Sequence, residues 1–137
     1  MYATRDDMIE FFGLDEINEL ERNLVQGVAN TPDEQEALNA KRVAATNKVL
    51  LAASTDANGY ISRRESLPLP SVPEQLKWPV CAIARYKLWK DRESERVRQD
   101  YKDAIGWLKD VSSGAVVLLI DRASTPTQCN VGSIFVV

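Results

Sequence analysis

Residues 31–61 read TPDEQEALNAKRVAATNKVLLAASTDANGYI, and how far they run as one helix decides the architecture of the chain. Thr31 can cap the start, Pro32 suits the first helical position, and Glu34 stands where a capping box needs a carboxylate. Apolar residues follow at Ala40, Val43, Leu50, Ala53 and Ala57, at the three-, four- and seven-residue spacings of one helix face. A helix reaching about Ile61 would be roughly 40 Å long at 1.5 Å per residue. Its alanine-rich segment AATNKVLLAAS, residues 44–54, suits close approach of another helix, within the fold or from a neighbouring subunit. Asn58-Gly59 supplies the expected stop, because both residues tolerate a left-handed cap.

The end of this stretch also overlaps a calcium-loop pattern. In STDANGYISRRE, residues 54–65, Asp56, Asn58, Gly59 and Glu65 fall at EF-hand positions three, five, six and twelve. Ser54 stands where the first carboxylate belongs, and Leu67-Pro68-Leu69-Pro70 blocks the helix that must follow the loop. A helix stop is therefore expected, with a small calcium-responsive binding module as the alternative.

Working outward, Thr4 can cap a first helix whose apolar side is Met8, Phe11 and Phe12, with Asp6 and Asp7 complementing its dipole. Gly13 can end it in a left-handed conformation, and LDEINELE continues as a short second piece. Beyond the long helix, LPLPSVPEQLKWP is an extended connector, with Ser71 and Glu74 opening a further helix that Pro79 kinks or restarts. Leu76, Val80, Ile83, Ala84 and Leu88 form its apolar face. After the charged bend KDRESER, Val97, Tyr101, Ala104, Leu108 and Val111 mark a last helix, and Gly114 stops it. AVVLLI and IFVV then read as strands flanking a turn-rich polar stretch.

The expected fold is mainly α: a small bundle of about four helices with one long central helix over residues 1–114. A β-prone tail over residues 115–137 forms a hairpin or adds a strand to a partner chain. Val116, Leu118, Ile120, Ile134, Phe135 and Val137 are its candidate contact residues. Asn58, Gly59, Arg64 and Pro68 are expected to build the end of the long helix, with the Arg64 guanidinium taking orphan carbonyls there.

At 137 residues, 45% hydrophobic and 27% charged, the chain has the balance of one globular domain. A net charge of −3 gives no basic footprint for tight nucleic-acid binding. The N-terminus lacks a signal-peptide pattern, and no apolar run approaches the ~20 residues of a membrane span. Cys81 and Cys129 match no ligand spacing, so a reduced intracellular setting is expected. Histidine is absent, and with it the usual general base and commonest metal ligand. The carboxylate pairs Asp6-Asp7, Asp15-Glu16 and Asp100 with Asp103 read as solvated helix faces, as does the self-neutralised ARYKLWKDRESERVR. Trp78, Trp89 and Trp107 read as core or interface anchors. No catalytic residue, metal ligand or cofactor is expected.

Several segments together resemble a known family. Tyr2-Ala3-Thr4, Asp7-Met8-Ile9 and Phe12-Gly13 resemble the opening of the Mu-like phage head–tail connector proteins, small helical neck adaptors. Tyr60, Arg64 and Pro68-Leu69 match that family's Y-(L/I)-x-x-R-x-x-x-P-L segment, and Ile83-Ala84-Arg85-Tyr86 with Leu88 continue the match. It is densest at Tyr101, Asp103-Ala104-Ile105, Trp107-Leu108, Val111 and Gly114. Asn58 and Glu65 depart from the family pattern, and the matching segments lie within residues 2–118. The resemblance implies a virion neck protein, assembled in the host cytoplasm, that forms a ring of about twelve copies beneath the portal. Such a ring extends the DNA channel, with non-specific passage of DNA, and offers a platform to tail-joining or tail terminator proteins, with no membrane partner.

Overall fold

The computed structural model describes residues 1–121, and among these it contains five α-helices and no strand. Helix α1 spans Arg5–Phe12 and α2 Leu14–Leu24. The Asp7 N–H donates to Thr4 Oγ1 at 3.2 Å while the Thr4 N–H donates to Asp7 Oδ2 at 2.9 Å, a reciprocal cap. Gly13 separates the two helices at φ 94°, ψ 148°, an extended conformation open essentially to glycine rather than the left-handed cap expected. What sequence spacing joined as one interrupted helix is thus two, which raises the count from about four to five.

Helix α3 runs Pro32–Ile61, thirty residues and about 45 Å, behind the expected capping box of Thr31 and Glu34. It passes through Asn58 and Gly59 without a left-handed residue and ends at Ser62. The expected stop is overridden because Ala57 and Ile61 are fully buried, and burying them extends the helix past its local terminator. Asn58 instead accepts a hydrogen bond from the Tyr2 hydroxyl, and Ser54 Oγ accepts from the Tyr2 N–H at 3.0 Å, which pins the N-terminus to α3. With residues 54–61 helical, the calcium loop does not form, and Asp56 pairs with Lys87 Nζ at 2.9 Å. Millimolar calcium is expected to leave the melting temperatures of the wild type and of Glu65→Ala unchanged in a thermal scan.

The buried face of α3 begins only at Thr46 and continues through Leu50, Ala53, Ser54, Ala57 and Ile61. Residues 32–45 carry no fully buried side chain, and this first half of the helix, an arm about 20 Å long, meets the rest of the chain only through half-buried residues such as Leu38, Arg42 and Val43.

Helix α4, Lys77–Trp89, follows a 3₁₀ turn at Glu74–Leu76 and accommodates Pro79 in its first turn, where no intrahelical N–H is required. Seven of its thirteen residues are buried, Pro79, Val80, Cys81, Ala82, Ile83, Ala84 and Leu88, and it packs on α1, α2, α3 and α5. Helix α4 is thus the most fully buried element, and the long helix α3 likewise packs on four helices, α1, α2, α4 and α5. Helix α5, Glu95–Ser113, is capped by Ser94 and buries Val97, Ala104, Leu108 and Val111, while Tyr101 stacks on Tyr86 of α4 at 4.0 Å. Trp78, Trp89 and Trp107 are half-buried against this core.

Candidate assembly surface

The residues that sequence placed in a contact surface divide differently in the folded chain. After Gly114, at φ 89° and ψ 1°, residues 115–121 lie back along the bundle without forming a strand. Leu118 is only 5% exposed, and Val116 and Ile120 are half-buried beside it, whereas Val117 and Leu119 are 70% and 74% exposed. The alternation expected of a strand is present, but the side assigned to a partner is the side that covers the core. Ile134, Phe135 and Val137 lie outside the described residues.

Gln75 holds this segment in place. Its Nε2 donates to the Val117 carbonyl at 3.2 Å and its Oε1 accepts from the Leu119 N–H at 2.6 Å, so one side-chain amide occupies the positions a neighbouring strand would take. Ser71 Oγ accepts from the Asp121 N–H at 2.7 Å. Gln75 and Ser71 thus occupy that edge of the segment within the chain itself.

Arg64 performs the expected chemistry on a different helix. Its Nε donates to the Ser112 carbonyl at 3.2 Å and its Nη2 to the Ser113 carbonyl, at the negative end of α5 rather than of α3. The positive φ of Gly114 demands glycine, and a Cβ there would also meet Arg64 Cζ at 2.7 Å and push the guanidinium off its carbonyls. Gly114→Ala is expected to cost about 2 kcal/mol in urea unfolding. Less of that cost should remain in an Arg64→Ala background, where only the backbone strain is left.

Pro68 lines a groove of about 510 Å³ with Met1, Leu51, Leu67, Leu69 and Val72. Met1, Leu51, Leu67 and Val72 are all exposed, which makes this the apolar side of the molecule near the end of α3.

Two charged networks organise the opposite features. Arg85 grips Glu16 with two bonds, Nε to Oε2 at 2.6 Å and Nη2 to Oε1 at 3.0 Å, and reaches Asp100 Oδ2 at 3.1 Å through Nη1. Its guanidinium lies 4.2 Å from the centre of the Phe12 ring, and Trp89 Nε1 donates to Glu16 at 2.9 Å. Glu16 and Asp100, read from sequence as solvated charges, thus join α2 and α5 to α4 through one arginine.

The second network sits at the base of the arm. Glu21, 3% exposed, receives Arg5 Nε at 2.7 Å, Arg5 Nη2 at 2.9 Å and the Thr46 hydroxyl at 2.6 Å. Burial raises the Glu21 pKa, but the bonds from Arg5 and Thr46 outweigh it and hold the carboxyl below its ordinary value; Glu16 behaves likewise under Arg85 and Trp89. Both carboxylates therefore contribute stability above the ordinary value of 4.5 that is lost as pH falls through their lowered folded values. The melting temperature is expected to drop in that acid window, and Glu21→Gln should flatten the drop.

Arg42 Nε donates to the Val25 carbonyl at 3.0 Å, which ties the arm to the end of α2. A cleft of about 600 Å³ opens between α2 and α3, with Arg5, Arg22 and Arg42 around the Glu21 floor. Sequence gave no sign of this cleft, because its members are dispersed from residue 5 to residue 43. Among the described residues no group of histidine, cysteine and carboxylate side chains could hold a metal ion, and no helix is long and apolar enough to cross a membrane.

Comparison with known proteins places the chain among phage proteins. It is 35% identical over 118 residues to the Mu-like prophage FluMu protein gp36 of Haemophilus influenzae, covering 86% of this chain and 75% of that protein. It is 34% identical over 71 residues to gene product J of Escherichia phage Mu, covering 52% of this chain and 50% of that protein. The profile of the family described as Bacteriophage Mu, Gp36 matches residues 2–136, and the chain belongs to that family.

Proposed function

We propose that the protein is a structural head–tail connector of a Mu-like phage, a non-enzymatic adaptor in the virion neck. Copies form a ring of about twelve beneath the portal, extend the DNA channel and present a platform to tail-joining or tail terminator proteins. Assembly takes place in the cytoplasm of the host bacterium. The observation that carries this reading is the arm of α3, a half-helix with no fully buried side chain in a chain of a phage Mu family. A half-helix whose outer face is exposed and polar is suited to a surface between subunits. The net charge of −3 suits a conduit, since a like-charged wall does not retain passing DNA.

A nonsense mutation in this gene tests the assignment. Lysates should accumulate DNA-filled heads and separate, complete tails, and supplying the protein in extract should join them. Normal virions, or heads arrested before DNA packaging, would contradict it.

A further inference from the structure

The α2–α3 cleft carries more positive charge than its floor consumes. Arg5 is spent on Glu21, and Arg42 commits its Nε to Val25. The terminal nitrogens of Arg42 and the whole Arg22 guanidinium have no hydrogen-bond or ion-pair partner among the described residues, and both line the cleft. A concave surface with the Arg22 guanidinium and the terminal nitrogens of Arg42 open to it fits carboxylates.

The chain itself presents such carboxylates. Asp33 and Glu36 are exposed in the first turns of the arm and have no hydrogen-bond or ion-pair partner among the described residues. At 3.6 residues per turn they share a face with Ala40, Ala44 and Leu51, all exposed. The cleft residues Gln35, Asn39, Arg42 and Val43 are centred about a third of a turn from that face, with Glu36 at the border between the two. One helix thus carries an acidic, small-residue face and borders a basic cleft, and the two point in different directions. A molecule with two different complementary faces associates heterologously, the arrangement that closes into rings.

We infer that the α3 arm of one copy lies against the α2–α3 cleft of the next, with Asp33 and Glu36 facing Arg22 and Arg42 of that copy. Ala40 and Ala44 let the arm approach closely. The inference rests on the ring assignment and names the surfaces that form the ring. Duplex DNA is the less suitable occupant, because these two guanidiniums beside a buried carboxylate make a short site, and backbone binding needs a row of cations.

Charge reversal tests this with the full-length protein. Arg22→Glu with Arg42→Glu, and separately Asp33→Lys with Glu36→Lys, should each weaken self-association about tenfold or more in sedimentation velocity. An equimolar mixture of the two variants should restore it, since every cleft then meets a tip of opposite sign. Association of the wild type should also weaken as sodium chloride is raised. Because Arg42 also holds Val25, Arg22→Glu alone, with its helix content checked by circular dichroism, serves as the second variant. Wild-type association indifferent to these reversals, or a mixture that stays dissociated, overturns the inference and leaves the connector assignment standing. A wild type that never self-associates overturns both the inference and the ring.

Discussion

Arg85→Ala is expected to destabilise the protein by about 3 kcal/mol, a fall of about 10 °C in melting temperature for a domain of this size. The substitution strands Glu16 and Asp100, each partly covered, and removes the cation from the Phe12 ring. Three helices lose their common anchor at once, since Glu16 lies on α2, Asp100 on α5 and Arg85 on α4. Arg85→Lys should recover only part of the loss, because an ammonium cannot grip Glu16 with two parallel bonds while also reaching Asp100. Urea unfolding of both variants measures this. If Arg85→Ala unfolded at the wild-type midpoint, these bonds would be solvated surface pairs after all.

Two truncations differ sharply. Removing residues 122–137 should leave a folded helical protein, because the five helices and the covering segment 115–121 all lie within residues 1–121. Removing residues 115–137 should destabilise it by about 3 kcal/mol, as Leu118 leaves the core and Val116 and Ile120 uncover it. Leu118→Asp isolates the same effect in the full chain and should cost about 4 kcal/mol, adding a buried charge to the lost burial. Val117→Asp, one residue away on the exposed side, should cost almost nothing in stability. Equal melting temperatures for Leu118→Asp and Val117→Asp would show that the segment does not lie on the bundle in solution.

How far the sequence could carry the fold depended on whether a signal was local. The caps at Thr4 and Thr31 were legible because each is completed within three residues. The stop at Asn58-Gly59 was equally local but misleading, since burial of Ala57 and Ile61 is set by the rest of the bundle. Length drew attention to α3 as the central helix. The apolar residues of KWPVCAIARYKLW, spread around its circumference, were the better guide to the most deeply buried helix, which is α4.

The surface was less legible for the same reason. Alternation in AVVLLI defines two sides of an extended segment but not which one meets the core; Gln75, more than forty residues earlier, fixes that. Arg64 could be recognised as a donor for helix-end carbonyls, yet its partners at Ser112 and Ser113 belong to a helix that only the tertiary fold brings near. Glu16 and Asp100 looked solvated because Arg85 is distant from both in sequence.

The connector role is tested most directly by electron microscopy of the purified protein mixed with the portal protein of its own phage. A second ring stacked coaxially on the portal is expected, with the α3 arms side by side between adjacent copies and an open channel along the axis. Portal rings that remain bare at saturating protein, with this chain monomeric in the background, would contradict it.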